Sequence, residues 1–117
     1  MRALVAAALL AAIPAAAAER GQAIFEARCA ACHAADRAAP PGAGPNLAGL
    51  IGRRVGGDPR FDYSSVLASA GQVWSGPLLD RFLADPEEMF PGLWMGGNGL
   101  RDADDRAAVV RFLAGTH

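Results

Sequence analysis

The sequence predicts an all-α protein of about four short helices joined by long loops, and three observations carry that prediction. Apolar residues recur at helical spacing in several stretches, and none alternates with the two-residue period of a half-buried strand. Residues 34–62 are punctuated by Pro40-Pro41-Gly42, Gly44-Pro45-Asn46, Gly49, Gly52 and Gly56-Gly57, too often for any long element. The first mature helix runs into Cys29-Ala30-Ala31-Cys32-His33, a segment whose chemistry calls for a large apolar group at the centre of the fold.

The elements follow in order. Arg2, the apolar run Ala3 to Ile13, the helix-breaking Pro14 and the small residues Ala16-Ala17-Ala18 read as a signal peptide cleaved after Ala18; an uncleaved anchor is the alternative. Residues 19–117 then form one domain, and much of their apolar content is alanine, so a bulky cofactor would complete a modest core. Glu19 to Ala31 is expected to be helical, with Gly21 and Phe25 on one face; a glycine there suits the close approach of a second helix. Residues 34–62 are a wrapping loop whose Leu47, Leu50, Ile51 and Val55 cover apolar surface. Ser64 to Ala70 reads as a two-turn helix capped by Ser64 and stopped by Gly71. Ser75-Gly76-Pro77 starts the next, with Leu78, Leu79, Phe82 and Leu83 as its stripe and Asp85-Pro86 as its end. Asp102 caps the last helix, Asp104 and Asp105 complement its dipole, and Val109, Phe112 and Leu113 face inward up to Gly115. The first and last helices should cross through Gly21, Phe25, Val109 and Phe112.

The motif Cys29 to His33 has the form of a c-type haem attachment site: two cysteines add across the haem vinyl groups, and the next histidine supplies a nitrogen to iron. A thioredoxin-like dithiol would sit at a helix N-terminus after a strand, and no such strand precedes Cys29. A structural zinc site needs four ligands, and beyond the two cysteines the chain offers only His33 and His117. The charge balance, eleven basic against twelve acidic residues with no lysine, is no nucleic-acid footprint.

These residues together closely resemble the class I cytochromes c of the mitochondrial and bacterial periplasmic type. The resemblance spans nearly all of residues 19–117. It rests on Gly21 and Phe25, Cys29 to His33, Gly44-Pro45-Asn46-Leu47, Gly52-Arg53, Phe61-Asp62-Tyr63, Trp74, Pro91-Gly92-Leu93-Trp94-Met95 and the last helix. It implies the cytochrome c fold wrapped around one covalently bound haem c. It further implies thioethers from Cys29 and Cys32, axial iron ligands from His33 and Met95, a proton acceptor for His33 in the Pro45 carbonyl, and Arg53, Tyr63 and Trp74 around a haem propionate. Taken singly, Trp74, Arg53, Tyr63 and Pro45 would be core, surface and turn residues.

The chain also departs from its relatives. Phe82 stands where a tyrosine is common, Leu67 where an asparagine is common, and Gly96-Gly97-Asn98-Gly99 where a bulky aromatic often covers the haem edge. A His/Met ligand set leaves no open iron position, so the expected function is a periplasmic monohaem electron carrier rather than an enzyme. A haem subunit of a dehydrogenase and a weak peroxidase are the alternatives. The expected partners are redox proteins, with no nucleic acid, no membrane insertion after signal cleavage, and a monomeric chain. Met95 is preferred to Met89 as the ligand because it lies in a Pro-Gly loop. Trp94 is expected either to pack beneath that loop or to join Leu93 in an apolar docking edge, with Asp85, Glu87, Glu88, Asp102, Asp104 and Asp105 around it partly offset by Arg81, Arg101 and Arg106.

Overall fold

The computed structural model describes residues 16–96 and 99–117. Within them lie five helices: α1 over 16–28, α2 Ser65–Ala68, α3 Gly76–Ala84, α4 Pro86–Met89 and α5 Ala103–Ala114. Among the described residues the only β pairing is an isolated antiparallel bridge between Arg54 and Val73. It is flanked by backbone bonds from Gly52 N–H to the Trp74 carbonyl, Trp74 N–H to the Arg53 carbonyl and Val55 N–H to the Gln72 carbonyl, at 2.8 to 2.9 Å. This short seam fastens Trp74 beside Arg53. No described helix is long and apolar enough to cross a membrane.

Side chains at the boundaries explain the helices. Ser75 Oγ accepts from Leu78 N–H at the start of α3, and Asp102 Oδ1 accepts from Asp105 N–H at the start of α5, each satisfying an orphan first-turn donor. Three expectations need correction. α2 is a single turn, and Ser64 does not cap it: the Ser64 hydroxyl is buried without a hydrogen-bond partner among the described residues. The α3 helix ends at Asp85 but the chain turns at once into α4, because the Asp85 carboxylate accepts from Glu88 N–H and Pro86 has no N–H to satisfy in the first turn. α1 is already formed at residue 16 and gives way to turns at Cys29, where Glu19 to Ala31 was expected.

α1 and α5 cross at Gly21. A Cβ there would overlap the Ala108 carbonyl oxygen and lie 2.8 Å from Phe112 Cβ, so only a hydrogen at this position lets the two backbones meet. About one turn on, the Phe25 and Phe112 rings pack with centroids 5.4 Å apart, and Val109 beside them is 1% exposed. An Arg20–Asp105 ion pair of 2.6 Å spans the crossing at the surface, where solvent screening leaves it about a few tenths of a kcal/mol. From this crossing the core continues through Leu79, Phe82, Phe90, Leu93 and Leu100 to Trp74, Leu50 and Val55.

Candidate functional site

α1 delivers the motif. Its last turn passes into a tight turn in which Cys32 N–H and His33 N–H both donate to the Cys29 carbonyl, at 3.1 and 2.9 Å. Cys29 is half-buried against the core and Cys32 is exposed. Burial pushes the Cys29 thiol up, partly opposed by the neighbouring Arg28 charge.

The segment after Pro41 runs back alongside the motif, with Gly44 N–H on the Cys32 carbonyl (2.9 Å) and Leu47 N–H on the Ala34 carbonyl (2.7 Å). This places His33 Nδ1 2.8 Å from the Pro45 carbonyl oxygen, which can only accept, so Nδ1 carries the proton. The ring lies close against Gly44, where a Cβ would come within 2.7 Å of Nδ1. Desolvation pushes the His33 pKa down, with the Pro45 hydrogen bond opposing, so the imidazole is held neutral with Nε2 as its lone-pair nitrogen.

A polar corner forms opposite. Arg53 Nη2 donates to the Asn46 carbonyl at 2.9 Å, and Nη1 lies 4.0 Å from Asp58 Oδ2. Tyr63 is half-buried, and its hydroxyl accepts from Asp58 N–H at 3.3 Å; burial is the main cause raising its pKa. Trp74 is buried edge-on against Phe82, with centroids 5.2 Å apart. Met95 is partly buried on the same core, and so is Met89 at the end of α4. Trp94, by contrast, is 69% exposed and is not packed beneath the loop. Of the glycine run 96–99, residues 97 and 98 lie outside the described residues, as does the segment 1–15 of the expected signal peptide.

Two members of this corner have roles that the sequence reading did not assign. Asn46 is 1% exposed; its side chain donates to the Asp36 and Ala39 carbonyls and accepts from Ala48 N–H, bracing the loop that carries Pro45. Asp58, also buried, accepts from Arg60 through its backbone N–H, Nε and Nη2, and these bonds hold its carboxyl below the usual range. The signal for Asp58 was an acid placed between Arg53-Arg54 and Arg60 in a proline turn.

Whether these residues suit a haem can be tested on two atoms. Arg53 Nε and Ser64 Oγ are both buried and have no hydrogen-bond partner among the described residues, although buried polar atoms are nearly always paired. Two unused donors near Tyr63 and Trp74 suit a ligand that brings carboxylates. Partly buried Leu47, Ile51, Val66, Leu67 and Leu78 supply apolar surface at the margin of the core. The residues fit the group.

An all-α fold with two thiols and a histidine on one turn, and unused donors for carboxylates, defines a covalent haem protein. The cytochrome c family model matches residues 18–117, and the chain belongs to that family. It is 39% identical over 95 residues to cytochrome c type-1 of Ascaris suum, covering 81% of this chain and 84% of the relative. It is 36% identical over 98 residues to cytochrome c2 of Rhodomicrobium vannielii, covering 84% and 78%. Cytochrome c2 iso-2 of Magnetospirillum fulvum is 41% identical over 85 residues, covering 73% and 88%. The cofactor of the family is covalent haem c, whose C-x-x-C-H motif Cys29, Cys32 and His33 fit, and its activity is electron transfer with redox partners rather than enzymatic turnover.

Proposed function

We propose that this chain is a periplasmic monohaem electron carrier, exported by a signal peptide ending at Ala18, in which His33 and Met95 ligate the haem iron. The observation that carries the proposal is the Nδ1 hydrogen bond of His33 to the Pro45 carbonyl. It fixes the tautomer and the ring plane and leaves Nε2 free to ligate. Cys29 and Cys32 hold the group on the same turn. Bound haem c supplies a one-electron iron couple, which two protein ligands close to substrates. Arg53 Nε and Ser64 Oγ would donate to a propionate, with Tyr63 and Trp74 beside it, and Phe82 and Leu67 would keep the pocket apolar where polar groups are common among relatives.

The methionine assignment is checked on the oxidised spectrum. Met95→Ala is expected to abolish the sulfur-to-iron charge-transfer band and lower the reduction potential, because a thioether favours ferrous iron. Met89→Ala is expected to keep both, since Met89 is fixed on α4. The opposite pattern would assign the ligand to Met89.

The exposure of Trp94 supports docking by apolar contact. The exposed acids Asp85, Glu87, Glu88, Asp102 and Asp104 are partly offset by exposed Arg81 and Arg101, which leaves a modest net negative charge and no strong steering. The rate of electron transfer to the physiological partner is therefore expected to change less than about threefold between low and high salt, and to fall about tenfold or more in Trp94→Ala. A steep salt dependence, or an unchanged rate in the variant, would contradict this.

A further inference from the structure

We propose that Arg106 is a positioning residue for the Met95 ligand, clamping the chain just beyond the methionine loop onto α3 and so setting how readily the sulfur leaves iron. The proposal rests on the assignment of Met95 given above. Arg106 lies in the first half of α5, and its guanidinium reaches back across the loop: Nε donates to Asp80 Oδ1, and Nη1 to the carbonyls of both Leu100 and Arg101, all at 2.9 Å. One side chain thereby joins α3, the segment 99–101 and α5.

That segment is already drawn against the end of α3, whose last carbonyls have no partner within the helix. Leu100 N–H takes the Leu83 carbonyl at 2.7 Å, and Gly99 lies so close to Ala84 that a Cβ would overlap its carbonyl oxygen. On the other side of Met95, Gly92 N–H donates to Glu87 Oε1 on α4 at 3.1 Å, and Leu93 N–H to the Phe90 carbonyl. The stretch bearing Met95 is thus moored at both ends to the corner where α3 meets α4.

The two moorings differ in strength. The Glu87 contact is a single exposed hydrogen bond, whereas the Arg106 side chain is 16% exposed and makes charge-assisted bonds to two backbone carbonyls. A ligand held between two fixed points has little conformational freedom to regain on detaching. Freeing the downstream point lengthens the loose chain and raises the detached population. Asp80 is 44% exposed, so its ion pair is screened and contributes less than the carbonyl fork. Lysine cannot reproduce a planar fork with three simultaneous partners.

Imidazole titration of the ferric, haem-loaded protein measures this directly, because the added ligand binds only when the sulfur is off and its apparent affinity scales with the detached fraction. Arg106→Gln is expected to tighten imidazole binding about tenfold or more, Arg106→Lys by an intermediate factor, and Asp80→Asn by less than about threefold. Should Arg106→Gln not fold, Arg106→Lys carries the test. Val110→Ala trims a partly buried α5 side chain packed against the core without touching the carbonyls, and is expected to lower Tm while leaving imidazole affinity unchanged. A wild-type spectrum without the sulfur-to-iron band would overturn the Met95 assignment, and the clamp with it. A wild type with the band whose Arg106 variants bind imidazole no more tightly, or whose Val110→Ala tightens it equally, would overturn the clamp alone.

Discussion

Replacing Cys29 and Cys32 together by serine is expected to abolish haem retention and to collapse most of the helical structure. The thioethers are the only covalent bonds proposed between chain and cofactor, so haem absorbance should no longer follow the polypeptide through a denaturing gel. The loss of structure has a separate cause. Without the cofactor, Arg53 Nε and Ser64 Oγ remain buried and unpaired, at a cost of about 1–3 kcal/mol each. Leu47, Ile51, Leu67 and Leu78 also lose an apolar neighbour at the margin of a small core. A domain of this size has about 5–10 kcal/mol in total, so these losses suffice to unfold it. Far-UV circular dichroism reads the outcome; a double variant that kept its haem through denaturation would refute the attachment.

Gly21→Val is expected to be the most damaging substitution away from the motif. Its side chain meets the Ala108 carbonyl and Phe112 Cβ, backbone and branch point rather than the movable end of a long side chain, so the helices must separate. The Phe25–Phe112 contact lies on the same seam and parts with them. Overpacking of this kind costs about 3 kcal/mol, equivalent to a Tm lower by about 15 °C for a domain of this length. Gly71→Ala is the useful contrast for space alone, since nothing lies within 4 Å of its Cβ position.

The helix crossing was legible in the sequence because glycine on an otherwise apolar face has few other uses, and the motif because its spacing serves one chemistry. Caps were legible where they stood alone, as at Ser75 and Asp102. At Asp85 one residue both ends α3 and caps α4, and the sequence pattern shows only the first role. Ser64 looked like a cap because local spacing cannot tell a hydroxyl facing a helix end from one turned into the interior. Arg106 stayed hidden for another reason. Its partner Asp80 is 26 positions away, and no local pattern encodes such a pairing.

The meeting of α1 with α5 joins residues 85 positions apart, Arg20 with Asp105, and so imposes an order on biosynthesis. While the chain is being made, α1 lacks its α5 partner until residues 103–114 exist, and an isolated helix of this length is marginal in water. The segment that carries the cysteines is therefore not fixed by the crossing while the intervening residues are made.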